Sequence, residues 1–336
     1  MHEHPAPRWL IGAFAGLFLF AGSAVAAWSI ELPYLAFSPG PIGDAVGAVV
    51  IDESVPVFEP DGQLYLLTVS AQGLNPYEVV AASLDPAVDV VRRELVRREG
   101  ESDEEFRLRQ LNLMDQSKET AVRVALDRLG IDPAELARGA VVGGVLPDAP
   151  AAAQLVEGDV IESVDGMPVV LVDDLRAALA EKAPGDIVEV MVRRGSERLP
   201  FDVQLYERAD EPGRALIGIL TTTFFPIEID SRNVGGPSAG LMYALAVMEV
   251  LAPESITGGN VIAGTGTIDL DGVVGPVGGI RQKVVAAEAA GARIVLVPAG
   301  NLEEALSAPR QDIEIVAVGS IDEALGALAA LPPAGT

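Results

Sequence analysis

The sequence contains no cysteine and only two histidines, His2 and His4, both at the extreme N-terminus. The first absence removes disulfides, thiolate nucleophiles, Cys-ligated zinc and iron–sulfur clusters. It also leaves the redox compartment unreadable, since a chain without thiols tolerates either one. The second removes every Ser-His-Asp, Cys-His or multi-histidine metal mechanism from the folded body unless the N-terminus reaches it. The general base of any enzyme here must then be Asp, Glu, Lys or Tyr. No metal and no other cofactor is expected. Positive charge is scarce too: 23 Lys and Arg stand against 49 Asp and Glu, a net charge of −26. A surface that negative repels phosphate backbones, so nucleic acid is not expected as a partner.

What is present is enough for two domains of ordinary size: 336 residues, 49% of them hydrophobic, which is not a disordered composition. One uncharged run stands out, WLIGAFAGLFLFAGSAVAAWSI from Trp9 to Ile30. Its length of about 22 residues suffices to cross a hydrocarbon core of about 30 Å. Arg8 precedes the run and Glu31 follows it. The positive-inside rule then places residues 1–8 in the cytoplasm and everything after Ile30 outside it. The reading is a single-pass anchor, residues 9–30, in the cell membrane. A signal peptide cleaved after Ala24-Val25-Ala26 is the alternative.

Residues 31–125 read as N-terminal strands followed by a helical connector. Gln63 to Ser70 (QLYLLTVS) has the composition of a strand. From Pro76 to about Gly130 the pattern turns helical, and Ser102-x-x-Glu105 fits a capping box. The mixed charge run from Arg92 to Arg109 reads as a solvated face. Residues 126–207 differ: short strands are punctuated by Pro-Asp, Glu-Gly-Asp and Asp-Gly turns, with one helix from Val172 to Glu181. That is a small β-rich barrel carrying a helix. In the last part, 213–336, β and α alternate. Strands are expected at 217–223, 226–230, 261–268, 294–298 and 314–318, and helices at 238–251, 279–290, 302–307 and 321–331. The fold class is α+β with a mixed α/β C-terminal domain. The pattern leaves open whether residues 60–72 join that domain's sheet; the expectation is that they do, with the connector and barrel inserted after them.

Gly236-Pro237-Ser238-Ala239-Gly240 satisfies G-x-S-x-G. A hydrolase elbow of that form needs a histidine downstream, and there is none. The plain alternative is a Gly-Pro turn with Ser238 at a helix start. A second feature bears on the choice. The chain uses 20 arginines and only three lysines, Lys118, Lys182 and Lys283. A guanidinium cannot lose its proton in a protein, whereas a desolvated amine can. Lys118 and Lys182 lie among charged neighbours and read as surface residues. Lys283 shares a helix face with Ile280, Val284 and Ala287, an apolar surrounding suited to a neutral amine. A neutral Lys283 could deprotonate Ser238 for attack on a peptide carbonyl. Free N–H groups at the helix start could hold the oxyanion, and Gly235, Gly236 and Gly240 would let a substrate backbone approach. Asp269-x-Asp271-Gly272 lacks the other ligands of a calcium loop and reads as a turn.

Three stretches, Gly235–Leu241, Ala263–Gly272 and Val274–Ile280 with Lys283, resemble the Lon-type serine protease domain. The resemblance implies a Ser-Lys dyad at Ser238 and Lys283, with Gly236, Pro237 and Ala239 in support. It also implies that Thr265 hydrogen-bonds the lysine amine, beside which a plain strand role for Thr265 stays open. The sequence departs from the family at Thr267, where an acidic residue is usual, and at Val234-Gly235, where Lys-Asp is usual. Asp148–Ala151, Glu157–Ile161, Val164-Asp165-Gly166 and Pro184-Gly185 resemble a PDZ domain of the bacterial kind. That implies a peptide groove, with Leu129-Gly130-Ile131 as the matching carboxylate loop or, equally, as a helix stop. The order of the parts resembles bacterial membrane-anchored PDZ–Lon proteases. Polypeptide substrates and a homo-oligomeric ring follow from the resemblance. The 336 residues hold no G-x-x-x-x-G-K-[ST], so ATP is not expected as a partner. The expected function is an ATP-independent serine endopeptidase outside the cytoplasm; a non-catalytic PDZ scaffold at the membrane is the alternative.

Overall fold

A computed structural model describes Trp28 and residues 30–98, 100–207, 212–231 and 234–334. The expected cytoplasmic tail, both histidines and the expected anchor, apart from Trp28 and Ile30, lie outside the described residues. Among the described residues no helix is long and apolar enough to cross a membrane.

The N-terminal part gives strands β1 (Tyr34–Asp44), β2 (Val49–Ile51) and β3 (Gln63–Gly73), helix α1 (Pro76–Leu84), strand β4 (Asp89–Arg92) and helix α2 (Asp103–Arg128). The middle part gives helix α3 (Pro133–Leu136), strands β5 (Ala140–Val145), β6 (Val160–Val164) and β7 (Met167–Pro168), helix α4 (Val172–Leu179), and strands β8 (Ile187–Arg194), β9 (Glu197–Gln204) and β10 (Ile219–Thr223). The C-terminal part gives β11 (Ile227–Ile229), α5 (Gly240–Leu251), β12 (Val261–Gly264), β13 (Thr267–Ile268), β14 (Val274–Gly275) and α6 (Ile280–Ala289). It ends with β15 (Ile294–Pro298), α7 (Leu302–Leu306), β16 (Glu314–Val318) and α8 (Ile321–Ala329).

The main sheet has the order β16-β15-β12-β3-β1-β4. Strands β16, β15, β12 and β3 run parallel, while β1 is antiparallel to both β3 and β4. Strand β3 thus lies at the middle of the sheet, with Gln63 opposite Val261 and Leu66 opposite Gly264. The connector and the small barrel are inserted between β4 and β11. Strands at the centre of a parallel sheet are covered on both faces and need continuous apolar runs. All five residues of β15 are accordingly buried. Alternation sorts their side chains. Leu64, Leu66, Ile262, Ile294 and Leu296 join the core under α5 and α2. Leu67, Ala263, Val295 and Val297 join a second core with Ile280, Val284 and Ala287 of α6. Helices α5 and α6 therefore lie on opposite faces.

Three expectations are corrected. The stretch 76–130 is not helical throughout: β4 interrupts it, held by register with Tyr34–Phe37 of β1. Helix α2 does start at the Ser102–Glu105 capping box, but it is more than a solvated connector. Beyond its charged first turns, Met114, Ala121, Val122, Val124, Ala125 and Leu126 are buried in the main core. The strand expected at 217–223 in the last domain belongs to the barrel instead. There β10 pairs antiparallel with β5, and Ala215 and Ile217 sit in the barrel core. Its β-branched residues announced a strand but did not choose a partner.

The barrel sheet runs β10-β5-β6-β8-β9, with β7 paired to β6. Its Glu157-Gly158-Asp159 turn is fixed by an ion pair: Arg194 donates to both oxygens of the fully buried Asp159 at 2.7 Å. Burial alone would push that carboxyl up; Arg194 and the Val156 N–H outweigh it and hold the carboxyl below its usual range.

Candidate active site

Beyond Gly264 the strand expected to continue from 261 to 268 breaks at Thr265-Gly266. The break lies at the carboxyl end of a parallel strand, the usual place for a site in an open α/β sheet. It lets the two faces of the sheet meet. Ser238 arrives from one face on a short 3-10 turn, Pro237–Ala239, that runs into α5. Lys283 arrives from the other on the first turn of α6. Lys283 Nζ lies 2.9 Å from Ser238 Oγ and 2.7 Å from Thr265 Oγ1. The Thr265 hydroxyl donates to the Ser238 carbonyl at 2.9 Å, which leaves its oxygen to accept from the lysine.

Each part of this triangle is clamped. The Gly266 N–H donates to the Ser238 carbonyl at 2.8 Å, and the Leu241 N–H donates back to the Gly266 carbonyl at 3.1 Å. Gly240 has no room for a side chain, because a Cβ there would lie 2.8 Å from Ser117 Oγ and 3.1 Å from the Ile268 backbone nitrogen. Gly279 opens α6 in the left-handed region at φ +65°, and its Cβ would meet Val69 of β3 at 2.6 Å. A non-glycine residue there would be strained twice over.

Lys283 is 2% exposed and Thr265 fully buried. No carboxylate pairs with Lys283 among the described residues. Burial alone pushes its amine down to about 7, from 10.5, because desolvation disfavours the charged form. Near neutrality a sizeable fraction of the amine is therefore unprotonated. Ser238 is only half-buried and open to a substrate. Its own N–H stands in the first turn, where no preceding carbonyl can reach it. The arrangement can thus supply a nucleophile, a base and an oxyanion donor without histidine. Thr265→Val keeps the volume and removes both hydrogen bonds. The expected loss is about 10- to 100-fold in kcat, checked by steady-state cleavage of an unfolded protein.

A second concave site lies in the barrel. Strand β10 is the sheet's outermost strand, and its unpaired edge faces helix α4. Between them is a cleft of about 780 Å³, lined by Leu175 and Leu179 of α4, residues 214–222, and Asn112 and Gln116 of α2. An open strand edge beside an apolar helix face is the geometry for adding a peptide strand. Leu129, Gly130 and Ile131 lie elsewhere and are corrected accordingly. The Ile131 N–H donates to the Leu126 carbonyl and the Gly130 N–H to the Asp127 carbonyl, with Gly130 at φ +73°. That is the glycine stop of a helix, and Leu129 and Ile131 pack on the main core.

Residues 231–330 match the Lon protease (S16) C-terminal proteolytic domain. Residues 127–205 match the PDZ domain. The chain carries both domains. Among curated relatives, the Lon protease of Phenylobacterium zucineum is 40% identical over 95 residues, 27% of this chain and 12% of that one. The Lon protease of Methylocella silvestris is 40% identical over 164 residues, 43% of this chain and 20% of that one. The similarity thus spans no more than a fifth of these relatives' length. The PDZ domain of an SdrC-like protein from Listeria monocytogenes is 30% identical, covering 25% of this chain and 87% of that one, with a TM-score of 0.24. The S16 domain, a serine peptidase domain, contains Ser238, Thr265 and Lys283.

Sequence reasoning missed two groups of residues. Gln110 and Ser117 of α2 touch the serine turn. The Gln110 carbonyl accepts from the Gly236 N–H at 2.9 Å, and Ser117 Oγ donates to the Pro237 carbonyl at 3.1 Å. The signals were the apolar spacing of the helix's second half and a family resemblance of 100–110 and 115–119 that assigned these two residues no role. The groove strand β10 lies outside both matched stretches, and its sole signal was a β-branched run, Ile219 and Thr221–Thr223.

Proposed function

We propose that this chain is a membrane-anchored serine endopeptidase that cleaves flexible or unfolded polypeptides outside the cytoplasm, without ATP. The observation that carries the reading is the contact of a buried, carboxylate-free Lys283 with an accessible Ser238 at 2.9 Å. The Ser238 hydroxyl gives its proton to neutral Lys283 Nζ as Oγ bonds to the peptide carbonyl carbon. The carbonyl electron pair moves to oxygen, where the Ser238 N–H and the start of α5 stabilise it. Collapse breaks the C–N bond, and Lys283 returns the proton to the leaving amine. A water, deprotonated by the same amine, then hydrolyses the ester. Residues 9–30 supply the anchor, and the acidic surface disfavours nucleic acid. The absence of a P-loop motif from the 336 residues supports independence from ATP, so substrates must arrive already flexible.

The test is cleavage of a fluorescent unfolded protein by the full chain in lipid across pH 5–9. The expected kcat/KM climbs through about 7, where Lys283 loses its proton, and levels off above. Ser238→Ala should be silent at every pH; activity surviving it would overturn the Ser238 mechanism, and a wild type that binds peptides yet cleaves none would favour the scaffold. The PDZ groove docks the substrate as an added strand on β10. Leu179→Asp places a charge in the apolar wall, and peptide binding measured by fluorescence polarisation should fall at least about tenfold. Cleavage of a peptide too short to span groove and site should be unchanged.

A further inference from the structure

Helix α1, PYEVVAASL, has no buried residue. A nine-residue helix is marginal on propensity alone and normally owes its stability to a covered apolar face. Its first turn is held by a capping box between Asn75 and Glu78. Its outer face carries Tyr77, Val80 and Leu84, spaced three and four apart, and they are 45%, 63% and 81% exposed. Trp28 leans on Tyr77 with ring centroids 6.1 Å apart, and Trp28 and Ile30 are exposed as well. Beside this face, residues 92–98 place Arg92, Arg93, Arg97 and Arg98 around exposed Leu95. Four of the chain's 20 arginines thus fall within seven positions of a strongly acidic protein.

Both patches flank the point where the uncharged run 9–30 enters the fold. Tyr34 at the start of β1 stands opposite Arg92 in register, and Arg93 reaches Glu31 at 3.5 Å. Three residues lie between Ile30 and Tyr34, four chain steps with a reach of at most about 14 Å. If the run crosses a bilayer, this rim of the domain cannot stand clear of the headgroups. An apolar helical stripe, a Trp–Tyr pair and nearby arginines are the side chains that partition to that interface.

We propose that α1 and residues 92–98 form a lipid seat. Tyr77, Val80, Leu84 and Leu95 enter the interfacial layer, and the exposed Arg98 meets lipid phosphates, joined by Arg92 once it gives up its solvent-exposed ion pair with Glu94 at 3.3 Å. The proposal rests on the anchor reading above. The seat is also tied to the site. Arg281, two residues before Lys283, pairs with Asp89 and donates to the Pro86 carbonyl, both just after α1.

The chain has no cysteine, so a single introduced thiol is labelled uniquely. V80C, L84C and the control L306C, in the full chain in phospholipid nanodiscs, are spin-labelled. Their accessibilities to oxygen and to a water-soluble nickel chelate are then compared. Leu306 is exposed on α7, beside β16 at the sheet edge opposite β4. The oxygen-to-nickel ratio at 80 and 84 is expected to exceed that at 306 at least threefold. Equal ratios overturn the seat alone. Exclusion of both reagents at 80 and 84 means a protein partner covers the face, and overturns it too. A chain that does not float with lipid overturns the anchor reading and the seat together.

Discussion

Replacing Lys283 by methionine is expected to lower cleavage by a thousandfold or more and, at the same time, to stabilise the fold below neutral pH. The two effects have one cause. The amine is held almost dry, with hydroxyls and no carboxylate as partners, so burial drives it down from 10.5 to about 7. Between those values the folded lysine is neutral while the unfolded one is protonated. Unfolding then takes up a proton, and stability rises with pH across that window. Below about 7 the full cost of the buried amine is present, on the order of a few kcal/mol. Methionine fills similar volume and has no charge to desolvate. Its stabilising effect should be largest near pH 6 and fade toward pH 10. Thermal melts of both proteins at pH 6, 8 and 10, beside cleavage assays, check this. A methionine variant no more stable at pH 6 than at pH 10 would show that the amine is not desolvated and would remove the basis for its role as a base.

The second large effect is one of stability. Glu249, near the end of α5, is 1% exposed. Its two oxygens accept from the backbone N–H groups of Asp61, Ile256 and Thr257 and from the hydroxyls of Ser255 and Thr257. The carboxylate thereby closes the turn leading into β12 and ties it to the chain entering β3. Glu249→Ala leaves three backbone donors, of which that of Thr257 is buried, and two hydroxyls without that acceptor. Each unmet donor costs about 1–3 kcal/mol, partly offset by water entering. A net loss of about 3–5 kcal/mol is expected, read as a lowered urea midpoint by far-UV circular dichroism. Glu249→Gln keeps the size but turns one acceptor into a donor, and should recover only part of the loss.

The sequence was informative where local chemistry decides. The absence of histidine beyond His4, the scarcity of lysine and the apolar face around Lys283 pointed to the pair that the fold brings to 2.9 Å. The Ser102 capping box marked the start of α2 to the residue. Reading failed where partners lie far off in the chain. Thr265-Gly266 looks like more strand, and only its contacts with Ser238 and Lys283 explain the break. Leu129-Gly130-Ile131 and the groove strand β10 were confused because a glycine between apolar residues suits a helix stop and a peptide-binding loop alike. Hydrogen bonds to Leu126 and Asp127 chose the former. The charged start of α2 hid the buried remainder that supports the serine turn.

The place of β3 has a consequence for how the protein is made. Gln63 and Val261 are neighbours in the sheet, yet they are separated by about 200 residues of chain. At about 5–20 residues per second, ribosomal synthesis needs some 10–40 s to bring the second strand after the first. During that interval the PDZ barrel can complete itself, having all its strands within 140–223. When the last barrel strand ends at Thr223 the first strands still wait with an unpaired edge, and neither Ser238 nor Lys283 has yet been synthesised. A nascent chain can therefore complete the proposed peptide groove before it completes the proteolytic domain. A fragment starting at residue 231 would lack three of the six strands on which the cutting site is built.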